Sequence, residues 1–115
     1  MIKVEELRIG NWVSLNKDLT RETKINPDNF ASYWADKFYP IPITEEILLK
    51  CGFEQYGMQF RNKVLKFYSG YNDLFNVEVY LMGVEPELPI CKIKHLHQLQ
   101  NLYYALTGEE LNIEL

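Results

Sequence analysis

The stretch Tyr56-Gly57-Met58-Gln59-Phe60-Arg61-Asn62-Lys63-Val64-Leu65-Lys66-Phe67-Tyr68 decides the fold. Its apolar residues fall at alternate positions, Tyr56, Met58 and Phe60, then resume from Val64 to Tyr68 after the polar trio Arg61-Asn62-Lys63. A period of two marks half-buried strands, because successive side chains leave opposite faces of the backbone. The pattern continues at Phe75, Val77, Val79 and Leu81 beyond the polar turn Ser69-Gly70-Tyr71-Asn72-Asp73, so residues 53–82 read as an antiparallel meander. One face is buried, and the other presents Gln59, Lys66, Asn76, Glu78 and Tyr80.

Upstream lies Thr44-Glu45-Glu46-Ile47-Leu48-Leu49-Lys50-Cys51-Gly52-Phe53. Thr44 can accept from free first-turn amides, and Glu45 and Glu46 sit where a helix favours negative charge. Ile47, Leu48 and Cys51 form the buried side, Gly52 supplies the left-handed residue after the helix, and Phe53 folds back onto Leu48. The prolines of Tyr39-Pro40-Ile41-Pro42 impose an extended connector before it.

Nearer the N-terminus, a turn at Gly10-Asn11 feeds a short strand with Val13 and Leu15 on one face and Trp12 on the other. Residues 16–26 read as a loop or irregular hairpin. Asn26-Pro27 then starts a helix carrying Phe30, Tyr33, Trp34 and Phe38 at helical spacing.

Downstream, Gly83-Val84-Glu85-Pro86-Glu87-Leu88-Pro89 is a rigid acidic loop, and Ile90 to Lys94 can add a strand. Leu96, Leu99, Leu102, Tyr103 and Leu106 mark one face of a helix closed by Gly108, and Leu111, Ile113 and Leu115 alternate as a last strand. The expected fold is α+β: an antiparallel meander packed by a C-terminal helix and a short central helix. A chain of 115 residues, 47% of them hydrophobic, suffices for one core, so residues 1–115 read as a single domain.

The formal net charge of -4 offers no general attraction to phosphate backbones or anionic membranes. A basic protein surface suits it better. Cys51 and Cys91 lie far apart in apolar stretches and read as buried thiols of a reducing compartment. The acidic start of the chain is unlike a signal peptide and no segment is long enough to span a bilayer, so a cytoplasmic location is expected.

Catalytic and metal-binding patterns are lacking. His95 and His97 at a helix start would diverge, and with Cys91 they fall short of four zinc ligands. No nucleophile elbow or glycine-rich phosphate loop occurs, and the adjacent acids Glu5-Glu6, Glu45-Glu46 and Glu109-Glu110 read as solvated ends of elements. No catalytic residue, cofactor or metal is therefore expected. Aromatics at 14% make a single-strand stacking platform thinkable, with Tyr33, Trp34, Tyr68, Tyr71 and Tyr80 beside Lys63, Lys66, Lys92 and Lys94.

Three segments, Glu6-Leu7-Arg8-Ile9-Gly10-Asn11-Trp12-Val13, residues 40–53 and residues 97–111, together resemble a family of small uncharacterised proteins encoded in phage and prophage regions of anaerobic and related bacteria. The resemblance spans both ends and the middle of the chain and implies no catalytic residues. Its relatives look like a small β-barrel where residues 16–38 here suggest a helix, which singles that segment out for specialised binding. The expectation is a non-enzymatic protein that binds a host protein with a basic surface, in its most concrete form an inhibitor of a host defence complex in the manner of anti-CRISPR proteins. Tyr33, Trp34, Asp36, Tyr39, Glu85 and Glu87 are the candidate contact residues. The alternative is a small module binding single-stranded nucleic acid on the aromatic sheet face.

Overall fold

The structure, a computed structural model, describes residues 7–26, 38–68 and 77–115. The described residues are α+β, with a two-stranded and a five-stranded antiparallel sheet and two helices among them. The chain forms two compact units, one from Met1–Ile41 with His95–Glu109 and one from Pro42–Lys94 with Glu110–Leu115.

In the first unit, β1 (Trp12–Ser14) pairs with β2 (Glu22–Lys24) as an antiparallel hairpin. Its entry is set by Gly10, whose φ of 99° is left-handed and whose N–H donates to Ile25 O at 2.8 Å. Leu7, Val13, Ile25 and Phe38 bury together against this hairpin. Ser14 closes β1 by exchanging two backbone bonds with Tyr39 at 2.8 and 2.9 Å. The strand therefore ends one residue before Leu15, which is 40% exposed instead of sharing the buried face of Val13.

The helix α2 (Leu96–Thr107) also belongs to this unit and ends on Gly108 in the left-handed region. Leu96, Leu99 and Tyr103 are buried as their spacing predicts, but Leu102 is half-buried and Leu106 is exposed. His97 and Gln100 occupy the buried face instead. The inward face is rotated toward the polar residues because Gln100 has backbone groups to satisfy on the Gly10–Trp12 segment.

In the second unit, α1 (Glu45–Lys50) begins where Thr44 Oγ1 accepts from Ile47 N–H at 3.1 Å. It ends in a Schellman arrangement: Phe53 N–H donates to Leu48 O and Gly52 N–H to Leu49 O, both at 3.1 Å, with Gly52 at φ 85°. Phe53 then packs edge-on to Phe67, with ring centroids 5.3 Å apart.

The five-stranded sheet runs β3 (Glu54–Tyr56), β4 (Gln59–Arg61), β5 (Leu65–Tyr68), β6 (Val77–Leu81), β7 (Pro89–Ile93), neighbours in space as in sequence. Phe60, Leu65, Phe67 and Val79 are fully buried on its inner face and Ile93 nearly so. The alternation of Tyr56, Met58 and Phe60 is not one strand. Gly57 and Met58 are a two-residue turn between paired Tyr56 and Gln59, with Gly57 at φ 60°, and Tyr56 and Met58 are exposed.

The final stretch departs from expectation too. Residues 111–115 form no strand: Leu111 is buried, and Glu114 N–H donates once to Lys50 O at 3.0 Å. A single backbone bond is too little to found a ladder.

Candidate functional site

The outer face of the five-stranded sheet gathers the side chains that alternation directs away from the core. Arg61 stands opposite Lys66 on β4 and β5, Lys66 opposite Tyr80 on β5 and β6, and Glu78 opposite Lys92 on β6 and β7. Tyr68 and Tyr80 meet edge to face, with centroids 5.2 Å apart. The Arg61 guanidinium lies 3.9 Å from the centroid of the Tyr56 ring.

The loop between β6 and β7 returns over this face. One oxygen of Glu87 accepts from Lys66 Nζ, and the other accepts from the Tyr68 hydroxyl at 2.6 Å. Glu87 is thereby held below the usual carboxylate range, first by the Lys66 hydrogen bond and then by that of Tyr68. The same contact raises Lys66 above its ordinary value and Tyr68 above that of a free phenol. On the neighbouring strand β6, Tyr80 OH donates to Glu78 Oε2 at 2.9 Å, which raises Tyr80, and Lys92 Nζ lies 4.0 Å from Glu78 Oε1.

Apolar residues of the same loop and of the start of β7 are exposed to water. Leu88 is 68% exposed, Val84 48% and Ile90 40%. None of the three is among the expected contact residues; Leu88, an apolar side chain between Pro86 and Pro89, is the one that carries a signal in the sequence. The Glu87 contacts had no such signal, because Lys66 and Tyr68 are 21 and 19 residues away.

Of the expected contact residues, Glu85 and Glu87 share this loop, and Tyr39 belongs to the other unit, where its backbone pairs with Ser14. Tyr33, Trp34 and Asp36 lie outside the described residues, as does the helix proposed to carry them. So do Tyr71 and Asn76 of the sheet-face reading. Glu87 is an acid already matched by a lysine, whereas the Glu85 side chain makes no ion pair or hydrogen bond among the described residues.

The first unit holds a different polar cluster. Gln100 accepts from Trp12 N–H at 2.7 Å and donates to Gly10 O at 2.9 Å. Asn101 Oδ1 accepts from Asn11 Nδ2 at 2.9 Å and Arg8 Nε at 3.1 Å, while the Arg8 guanidinium lies 4.5 Å from the centroid of the Tyr104 ring. The Gln100 bonds fasten backbone, and those of Asn101 tie side chains of the Arg8–Asn11 turn to the helix.

The histidines differ from expectation. His95 is the extended N-cap of α2, its N–H donating to Gln98 Oε1 at 3.0 Å, so its ring does not diverge from that of His97. The rings stack at 5.7 Å and 9°, and His97 is buried. Among the described residues no three His, Cys, Asp or Glu side chains are grouped to hold a metal. Both cysteines are free; burial pushes the Cys51 thiol up to about 12, and Cys91 is only half-buried, because it stands on β7 at the end of the sheet. No helix among the described residues is long and apolar enough to cross a membrane. Set against protein families, curated proteins and solved structures, the chain matches none.

Proposed function

We propose that this chain is a non-enzymatic binding protein that works by contact with another protein, in its most specific form a phage- or prophage-encoded inhibitor of a host defence complex that handles nucleic acid. The observation that carries the reading is the charge pairing on the sheet face. Of the lysines a single-strand groove would draw on, Lys66 faces Glu87 and Lys92 faces Glu78. A phosphate would have to compete with the Glu87 carboxylate for Lys66 and would meet the negative field of Glu78 beside Lys92, so part of the affinity that backbone neutralisation supplies is offset. Tyrosines and exposed aliphatics around a charge-balanced face are instead the usual anchors of protein contact. The net charge of -4 adds long-range attraction to a basic channel of the kind nucleic-acid enzymes need.

Two measurements test this together. Affinity capture from the host, followed by mass spectrometry, is expected to recover a protein with a basic surface. Fluorescence anisotropy with a labelled single-stranded oligonucleotide at low salt is expected to show no binding. Tight, salt-dependent oligonucleotide binding that disappears on Lys66→Ala or Lys92→Ala would transfer the face to the nucleic-acid reading, which rests on the Tyr68–Tyr80 pair.

A further inference from the structure

The loop from Gly83 to Leu88 is fixed at both ends: Gly83 turns at φ 77°, and Pro89 opens β7 without a backbone N–H. Its last residue but one, Glu87, is bound through both carboxylate oxygens to Lys66 and Tyr68 on β5. The next residue, Leu88, is the most exposed large apolar side chain of the described protein, at 68%. A side chain that follows a doubly held carboxylate has little freedom to fold back, so its exposure is a property of the loop's fixed path. Val84 and Ile90 add exposed aliphatic surface on either side of it in sequence.

Charge narrows what can cover this surface. Lys66 and Lys92 are answered by Glu87 and Glu78, and Glu85 alone on the loop has no countercharge among the described residues. An apolar partner surface would strip water from the Glu85 carboxylate at a cost unless it brought a cation with it. We infer that Leu88, with Val84 and Ile90, is a preset anchor for an apolar pocket on a partner protein whose rim places Lys or Arg opposite Glu85. This rests on the protein-contact reading above and adds to it the residue that enters the partner and the chemistry that receives it. The Glu87 contacts act on the anchor through its position: they hold the loop in its bound form, so less order has to be created on association.

The test uses the full chain, isotope-labelled for amide NMR, and two synthetic peptides of equal length as probes, one alternating Lys and Leu and one alternating Glu and Leu. The Lys–Leu peptide is expected to shift the amides from Gly83 to Ile90 saturably, with an affinity about tenfold or more above the Glu–Leu peptide. Leu88→Asp is expected to abolish those shifts while the rest of the spectrum stays in place. Glu87→Gln, which leaves Leu88 present and loosens its support, is expected to weaken binding several-fold. Equal affinity for both peptides, no shifts at all, or shifts that persist in Leu88→Asp would overturn the inference. If the Lys–Leu peptide binds on another face, the anchor fails while the protein-contact reading stands; if an oligonucleotide binds the sheet face and neither peptide binds, both fail. A concentration-dependent dimer removed by Leu88→Asp would assign the surface to a second copy of the chain and overturn the inference as well.

Discussion

Gln100 and Glu87 each fasten a loop to a regular element, and they do so in opposite surroundings. Gln100 is 2% exposed, neutral, and matched by one backbone donor and one backbone acceptor. Glu87 stands on an outer face, charged, and matched by two side chains. A buried amide with all its partners costs a great deal to lose, because each abandoned backbone group stays out of water. An exposed ion pair costs little, since water and salt can replace either partner. The first arrangement specifies the fold, and the second leaves room for adjusting a surface without endangering it.

The contrast can be broken most forcefully inside the sheet itself. Phe60→Ala removes a fully buried ring and is expected to destabilise the protein by about 3–5 kcal/mol in urea denaturation, so that the outer face is lost with its support. Gln100→Ala strands Trp12 N–H and Gly10 C=O and is expected to cost about 2–4 kcal/mol by the same measurement. A cost near zero would mean that water reaches the Gly10–Trp12 segment and would erase the distinction between the two regions. Thr44→Ala, which removes the cap of α1, is expected to cost about 1 kcal/mol.

The smallest effect belongs to Glu87→Gln, for which the thermal midpoint should hardly move while amide shifts change from Gly83 to Leu88. Its pH dependence has a definite sign. Glu87 has a depressed value, so its contribution is complete above the ordinary carboxylate range and is lost only as pH falls through the lowered value. Lys66 has a raised value, so its contribution is complete below the ordinary lysine value and lost as pH rises through the higher one. Following the Glu87 carboxyl carbon by NMR should place its midpoint below that of a solvated glutamate; an ordinary midpoint would show the contact to be absent in solution. Thiol labelling sharpens the picture further: Cys91 should react well before Cys51, whose thiolate burial suppresses.

What could be read from the residues was what is settled within a few positions. Thr44, Gly52 and Phe53 specify the start and end of α1 by themselves, because a cap and a Schellman turn are made by neighbours in sequence. The strands β4 to β7 were legible for a similar reason, since period two survives in short segments. The Gly57-Met58 turn hid inside that period: a hairpin of two residues keeps the alternation of the strands it joins. Gln100 falls outside the apolar face marked by Leu96, Leu99, Leu102, Tyr103 and Leu106, and nothing local announces that its partners lie 88 and 90 residues earlier. The same distance in sequence concealed the Glu87 contacts and so the reason Leu88 stands out.

β3 and β7 are the outer strands of the five-stranded sheet. β3 has only three residues, one of them Glu54, and β7 begins with Pro89 and carries Lys92. A foreign strand seeking to continue the ladder would meet too short a template on one side and a missing donor and a cation on the other. The sheet thus carries its own end-stops, and a protein that displays leucine and isoleucine to its surroundings is guarded against growing into fibres at high concentration.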